Sequence, residues 1–216
     1  MAGIIADRYN LKDELEHGVF VSMLARCIAR EMGLDEEMQE KMAITGLIHD
    51  IGKLRLANYI HSGDEEEHLE IEQMRYARLH PILSYEIARE YGYPEDVCNF
   101  IRWHHENYDG SGYPDQIAGD DIPLGGRIIK VCDVYCALSS DRPYRKRFLK
   151  EVAIEMMISE IHHFDMQVFL AFQRVIHSGV VESYKPITDE AFGDEADYIN
   201  SILDEKEGRV DEKETN

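Results

Sequence analysis

The sequence predicts an all-α fold, a bundle of seven or more helices. Three observations carry that expectation. Apolar residues recur at helical spacing through most of the chain, no run alternates apolar with polar residues, and glycines or prolines punctuate the periodic stretches.

Taken in order, residues 7–31 form the first expected helix, with Leu11, Leu15, Val19, Met23 and Ile28 near helical spacing and Gly33 as the stop signal. The next opens at Asp35, whose following acids suit the positive end of a helix dipole, and runs through Ala43, Leu47 and Ile48 to about residue 51. Residues 57–70 read as a polar, acidic loop or a partly helical connection. Helical patterns resume over 71–91, ending at Gly92, and over 94–106, opened by Pro94. Residues 107–123 are rich in glycine, proline and aspartate, which is turn chemistry, and a loop this long inside a helical domain is of the kind that carries function. Further helices are expected over 124–139, 150–162 and 165–178. From about residue 186 the chain turns strongly acidic, with one short helix around Tyr198, Ile199, Ile202 and Leu203. The expected organisation is one domain over 1–183 and an acidic tail over 184–216.

Composition narrows the function. The chain has 216 residues, 44% of them hydrophobic, which supports a real core. Its 23 Lys and Arg stand against 43 Asp and Glu, a formal charge of −20, so it is not a binder of bulk nucleic acid, where phosphate neutralisation dominates affinity. No apolar run approaches the roughly 20 residues a membrane helix needs, and no membrane partner is expected. The N-terminal stretch carries Asp7, Asp13 and Glu14 and lacks the apolar segment of a secretory leader. The four cysteines form no CxxC pair, which fits a reducing cytoplasm.

The histidines hold the chemical information. His49-Asp50 and His104-His105-Glu106 are adjacent clusters, His17 follows Asp13 by one helical turn, and His80 precedes Pro81 at the start of a helical pattern. Asp133 sits in the apolar run Ile128–Val134, where an unpaired charge is costly. Singly, each has an ordinary reading: Asp13 and His17 as a solvated pair, Asp133 as a partner of Arg127 or Lys130. Jointly, Asp13, His17, His49, Asp50, His80, His104, His105 and Asp133 are too many donors for one ion, and a mixed His and carboxylate set suits Mn, Fe or Zn better than Mg. Two ions can clamp a phosphoryl oxygen, and Lys53, one turn past His49, is placed to reach an anionic group beside them. The pair His162-His163 reads as a loop feature, His61, His68 and His177 as isolated surface residues, and Trp103 as packing behind the ligands.

Two motifs resemble a known family. The run Ile48-His49-Asp50-Ile51-Gly52-Lys53 is similar to the core motif of the HD superfamily of metal-dependent phosphohydrolases. His104-His105-Glu106-Asn107-Tyr108-Asp109-Gly110-Ser111-Gly112-Tyr113-Pro114 resembles the HHExxDGxGYP motif of its HD-GYP subfamily, and the stretches from Ile122 to Asp133 and from Ala137 to Arg145 continue the likeness. The resemblance covers about residues 10–178 and implies an all-helical HD-domain bundle. It implies a phosphodiesterase of cyclic di-GMP or a related cyclic dinucleotide, with two or three divalent ions, iron or manganese. The family's metal ligands fall on His17, His49, Asp50, His80, His104, His105 and Asp133, and its glutamate before the first histidine falls on Asp13. Asp50 and Lys53 take the catalytic positions, Lys53 being the residue that contacts the scissile phosphate, and Tyr113, Arg142 and Arg145 are the implied substrate contacts.

The sequence departs from the family pattern in three places. Asp13 is one methylene shorter than glutamate, Cys136 stands where a second aspartate is usual, and residues 54–79 lack the usual run before His80. Two other readings follow from these departures: an HD-type phosphohydrolase acting on another nucleotide or phosphoester, and a catalytically weak cyclic-dinucleotide sensor. A homodimer or a separate sensory partner is the expected source of any input.

Overall fold

A computed structural model describes residues 2–54, 78–141, 146–179 and 181, with side chains from residue 12 onward. Seven helices are described in full: α1 (Ala2–Glu31), α2 (Glu36–Ile48), α3 (His80–Glu90), α4 (Glu95–Arg102), α5 (Leu124–Ser139), α6 (Lys150–Ser159) and α7 (Met166–His177). Two 3-10 turns, Gly119–Asp121 and Ile161–His163, and a helical turn over residues 52–54 add to these, and the described residues contain no strand. Two compact units emerge, His17–Tyr184 and Met1–Glu16 with Lys185–Asn216. Within the second unit the described residues are the first turns of α1, whose Lys12 and Glu16 form an i,i+4 ion pair.

The unit His17–Tyr184 is organised around α5, which packs on α2, α4, α6 and α7. Its sequence explains that position. Ile128, Ile129, Val131, Cys132, Tyr135 and Cys136 are all buried, so the helix is apolar almost all round and has to be surrounded. Leu24, Ile28, Met42, Val168 and Phe172 from α1, α2 and α7 pack into the same core, and Tyr135 meets the Phe172 ring edge-on at 5.1 Å. Cys136, at the position where the family has a second aspartate, belongs to this core. A smaller cluster of Ala88, Val97, Cys98 and Ile101 joins α3 to α4.

The helix ends follow local chemistry. Asp35 caps α2 by accepting the Met38 N–H at 2.9 Å, and Asp165 caps α7 by accepting the Gln167 N–H at 2.7 Å. Arg127 bonds Asp165 at 2.6 Å and Asp120 at 2.7 Å, so it is not the partner of Asp133. Gly46 is where α1 and α2 cross: a Cβ there would lie 2.6 Å from the Ser22 backbone. That close crossing brings His17, on α1, toward His49, just past the end of α2.

Most sequence boundaries agree with the structure; of the pattern over 71–91, the described residues give a helix from His80, after a turn at residues 78–79, and two helices end early at chemically important places. The helix expected to reach residue 51 stops at Ile48, and the pattern over 94–106 yields a helix only to Arg102. In both cases the residues just past the helix are turns that carry histidines, and apolar periodicity does not register a helix end whose carbonyl is taken by a side chain. The acidic tail and residues 57–70 lie outside the described residues.

Candidate metal centre

The two early helix ends build the site. His49 follows α2 directly and its Nδ1 bonds the Gly46 carbonyl at 2.8 Å. His104 follows α4 in the same way, with Nδ1 on the Ile101 carbonyl at 2.5 Å. Each ring therefore donates from Nδ1 to a carbonyl that the helix leaves orphaned, which fixes a proton on Nδ1 and turns Nε2 inward. Both rings are fully buried.

Gly52 closes the turn after Asp50 against α3. Its N–H donates to Ser84 Oγ at 2.8 Å, and a Cβ on it would sit 2.6 Å from the His80 carbonyl. This contact sets His80, the first residue of α3, beside Asp50: His80 Nε2 lies 3.0 Å from Asp50 Oδ1. From α5, Asp133 Oδ1 accepts from His17 Nε2 at 3.0 Å. His105 Nε2 meets His80 Nε2 at 3.0 Å.

The seven residues form two donor groups, His17, His49, Asp50 and Asp133 in one and Asp50, His80, His104 and His105 in the other. Within each, the ligand atoms all lie within 4.8 Å of one another. Asp50 belongs to both. Its Oδ1 faces His80 and its Oδ2 lies 3.2 Å from His49 Nε2, so each carboxylate oxygen serves a different group.

The donors fit divalent cations. Buried His49 Nε2 and Asp50 Oδ1, one facing each donor group, find no hydrogen bond even at these separations, and a cation in each group would satisfy them. The electrostatics agree. Burial pushes the Asp50 and Asp133 carboxyls up, but the histidines around them, with Lys53 for Asp50, hold both well below the usual carboxylate range. Burial and the neighbouring imidazoles hold His104 well below its ordinary value, and burial takes His105 down to about 3. Ionised carboxylates and neutral imidazoles are the forms that bind metal. His49 is the exception: burial disfavours its charge, yet Asp50 and Asp133 raise it to about 10, which puts a proton where a metal ion would serve.

The other sequence candidates fall as follows. Lys53 Nζ bonds Asp50 Oδ2 at 2.5 Å. It does not lie on a continuation of α2: the chain turns over residues 49–51 and becomes helical again at Gly52, with the Lys53 N–H on the Asp50 carbonyl at 2.9 Å. Tyr113 stacks on His105 with centroids 4.9 Å apart and planes at 16°, and burial first, then Asp133 and Asp50, push its hydroxyl up to about 12. Asp13 is exposed and outside both donor groups. Arg142 and Arg145 lie outside the described residues.

Sequence reasoning missed two contributors. Glu106, only 1% exposed, accepts the Asp115 and Gln116 N–H groups at 2.6 and 2.9 Å and so ties the GYP-containing loop to the histidine turn. The sequence carries little signal of this, since Glu106 stands among polar residues and its donors are backbone groups of a loop. Arg78 lies with its guanidinium 5.5 Å from the Tyr113 centroid, a cation–π distance, and nothing in the sequence pairs the two. Trp103 does not sit behind the ligands as a packing residue alone: its Nε1 donates to Asp115 at 2.7 Å.

A family model for the HD domain matches residues 1–168. The chain belongs to the HD domain family, and the HD-GYP resemblance drawn from its motifs is borne out by the relatives it matches. It is 35% identical over 164 residues to the cyclic di-GMP phosphodiesterase PA4108 of Pseudomonas aeruginosa, covering 74% of this chain and 38% of that one. It is 36% identical over 161 residues to the 3'3'-cGAMP-specific phosphodiesterase 1 of Vibrio cholerae, covering 71% of this chain and 36% of that one. The chain thus spans well under half the length of these two relatives. Among solved structures, Bd1817, an HDGYP-type protein of Bdellovibrio bacteriovorus, superposes with a TM-score of 0.60 at 19% identity over 76% of this chain and 52% of that one, which shows the shared fold.

Proposed function

We propose that the chain is a metal-dependent phosphodiesterase that hydrolyses cyclic di-GMP or a related cyclic dinucleotide. The observation that carries this reading is Asp50, whose two oxygens face two separate sets of histidines beside Lys53 and the loop bearing Tyr113. The relatives named as cyclic di-GMP and 3'3'-cGAMP phosphodiesterases support the substrate class.

In this reading His17, His49, Asp50, His80, His104, His105 and Asp133 hold two divalent ions, iron or manganese. Bound there, the ions supply Lewis acidity and a water of lowered pKa. Asp13 enters only with a third ion. Lys53 offers its ammonium to the scissile phosphate where negative charge develops. Tyr113, stacked on His105 with Arg78 against its ring, orients the dinucleotide, and Arg142 and Arg145 take its second phosphate or a guanine edge. The negative net charge does not oppose this, because local cations dominate within the Debye length of about 8–10 Å. We place the activity in the cytoplasm, within a domain over 1–183 followed by an acidic tail, with input from a second copy or a sensory partner. Among the described residues no helix is long and apolar enough to cross a membrane.

The test is turnover of cyclic di-GMP and 3'3'-cGAMP by anaerobically purified protein, with its metal content measured. Hydrolysis of either, abolished by chelator and by Asp50→Asn, is expected. Hydrolysis of another phosphoester alone would make the chain a different HD phosphohydrolase. Tight binding without turnover by the metal-loaded protein would make it a sensor.

A further inference from the structure

Asp109, in the loop that carries Tyr113, faces the paired histidines of the turn Ile161–His163. We propose that Asp109, His162 and His163 form a second binding site for a zinc-type transition cation, sharing no residue with the centre around Asp50.

The three residues offer ligand atoms within 4.8 Å of one another. Asp109 is prepared for the role. Its Oδ1 is taken by the Ser111 N–H at 2.9 Å and the Ser111 hydroxyl at 2.6 Å, which leaves Oδ2 turned to the imidazoles. His162 Nε2 lies 3.7 Å from Asp109 Oδ2, and His163 Nε2 lies 4.0 Å from it. Donors about 2.0–2.1 Å from a tetrahedral ion stand about 3.3–3.4 Å apart, so the two imidazole–carboxylate pairs close with shifts of a few tenths of an ångström, and the two imidazoles turn toward each other by rotation of their rings. The rings can make these movements: their side chains are 56% and 28% exposed, and among the described residues neither makes a hydrogen bond.

Glu160 completes the arrangement. Its Oε2 lies 3.6 Å from His163 Nδ1, on the side of the ring away from Asp109. That distance is too long for a hydrogen bond, but a small shift on ion binding would bring the carboxylate to Nδ1, where it fixes the tautomer of a ligating imidazole and raises its basicity. The same oxygen is 3.7 Å from His162 Nε2. Two imidazoles and one carboxylate, with solvent at the fourth position, match the donor set of zinc. The two segments are already tied by the Tyr108 N–H on the His163 carbonyl at 2.9 Å, so a bound cation adds a second tie and braces the loop whose Tyr113 stacks on His105.

The experiment loads the metal centre with manganese, adds zinc sulfate, and counts zinc per chain after desalting. The wild type is expected to bind one zinc more than His162→Gln/His163→Gln, with equal manganese in both. Amide exchange at Tyr108 and Ser111 should slow on adding zinc to the wild type alone. Asp109→Asn should weaken zinc binding by about 10-fold or more. Equal zinc in the wild type and the double variant would overturn the site. Unchanged affinity in Asp109→Asn would reduce it to a histidine pair and overturn the tie between the two segments. The replaced side chains are exposed or half-exposed, and an unchanged Tm without zinc verifies that each variant is folded.

Discussion

Lys53 makes a structural contact at the very residue where the proposed chemistry needs its charge. Its ammonium bonds Asp50 Oδ2, the oxygen that also faces His49. Replacement by alanine should lower kcat by about 10²–10³, the effect of removing one electrostatic donor from a reacting centre. Metal content should hold, because Asp50 keeps His49 and His80 beside it. Steady-state kinetics at measured metal occupancy checks both halves; loss of metal along with rate would assign Lys53 to holding Asp50 instead. At this scale much was legible in the sequence. His49, Asp50, His104 and His105 stand in two short motifs, and Asp133 betrays itself as a charge in an apolar run. Lys53 was legible as a residue but not in its route, since a helix continuing past Ile48 was expected and a turn is found. Asp13 reads in sequence like His17's companion, yet it is exposed, because one helical turn of displacement along α1 leaves the buried stretch.

At the scale of elements, the site depends on how closely the ends of α2 and α3 approach. Gly52 permits that approach, and Gly52→Ala would drive a Cβ to within 2.6 Å of the His80 carbonyl and 2.7 Å of the Ser84 nitrogen. Both are backbone atoms, so the elements themselves must shift. We expect a loss of about 1–3 kcal/mol in stability, the usual range for overpacking, together with reduced metal binding. Denaturant unfolding and metal analysis of the same preparation measure the two effects. Glu106 plays the corresponding part for the loop over 107–123. Glu106→Gln keeps the shape and weakens the acceptor for the Asp115 and Gln116 amides, so those two N–H groups should exchange faster with solvent while α4 and α5 stay protected. Helix identity was readable from periodicity and capping residues, α5 most clearly. The folding of the loop was not, because its anchors are backbone amides meeting a buried carboxylate, and backbone groups leave no mark in the sequence.

For the molecule as a whole, the described core and the metal centre are one construction. Five stretches of chain, around His17, His49, His80, His104 and Asp133, bring their donors to one place, and burial surrounds them with α1, α2 and α5. A cation that binds only the folded chain stabilises it, by about 2.7 kcal/mol at a free concentration one hundred times its Kd. For a chain of this size that corresponds to a rise in Tm of about 5–10 °C, which a thermal melt of chelated protein with and without manganese will show. Asp50→Asn should remove most of that rise, since both donor groups lose the same residue.

The burial of His49 and His104, each at 0% exposure, also bears on time. On this buried side of the centre an ion leaves slowly, so a chelator strips it only over the time the surrounding helices take to open. The ion that enters while the chain folds is then kept, and the metal found in the protein records the supply at synthesis. Protein folded with manganese and later incubated with ferrous iron should keep its manganese for as long as the core amides of α5 stay protected from exchange.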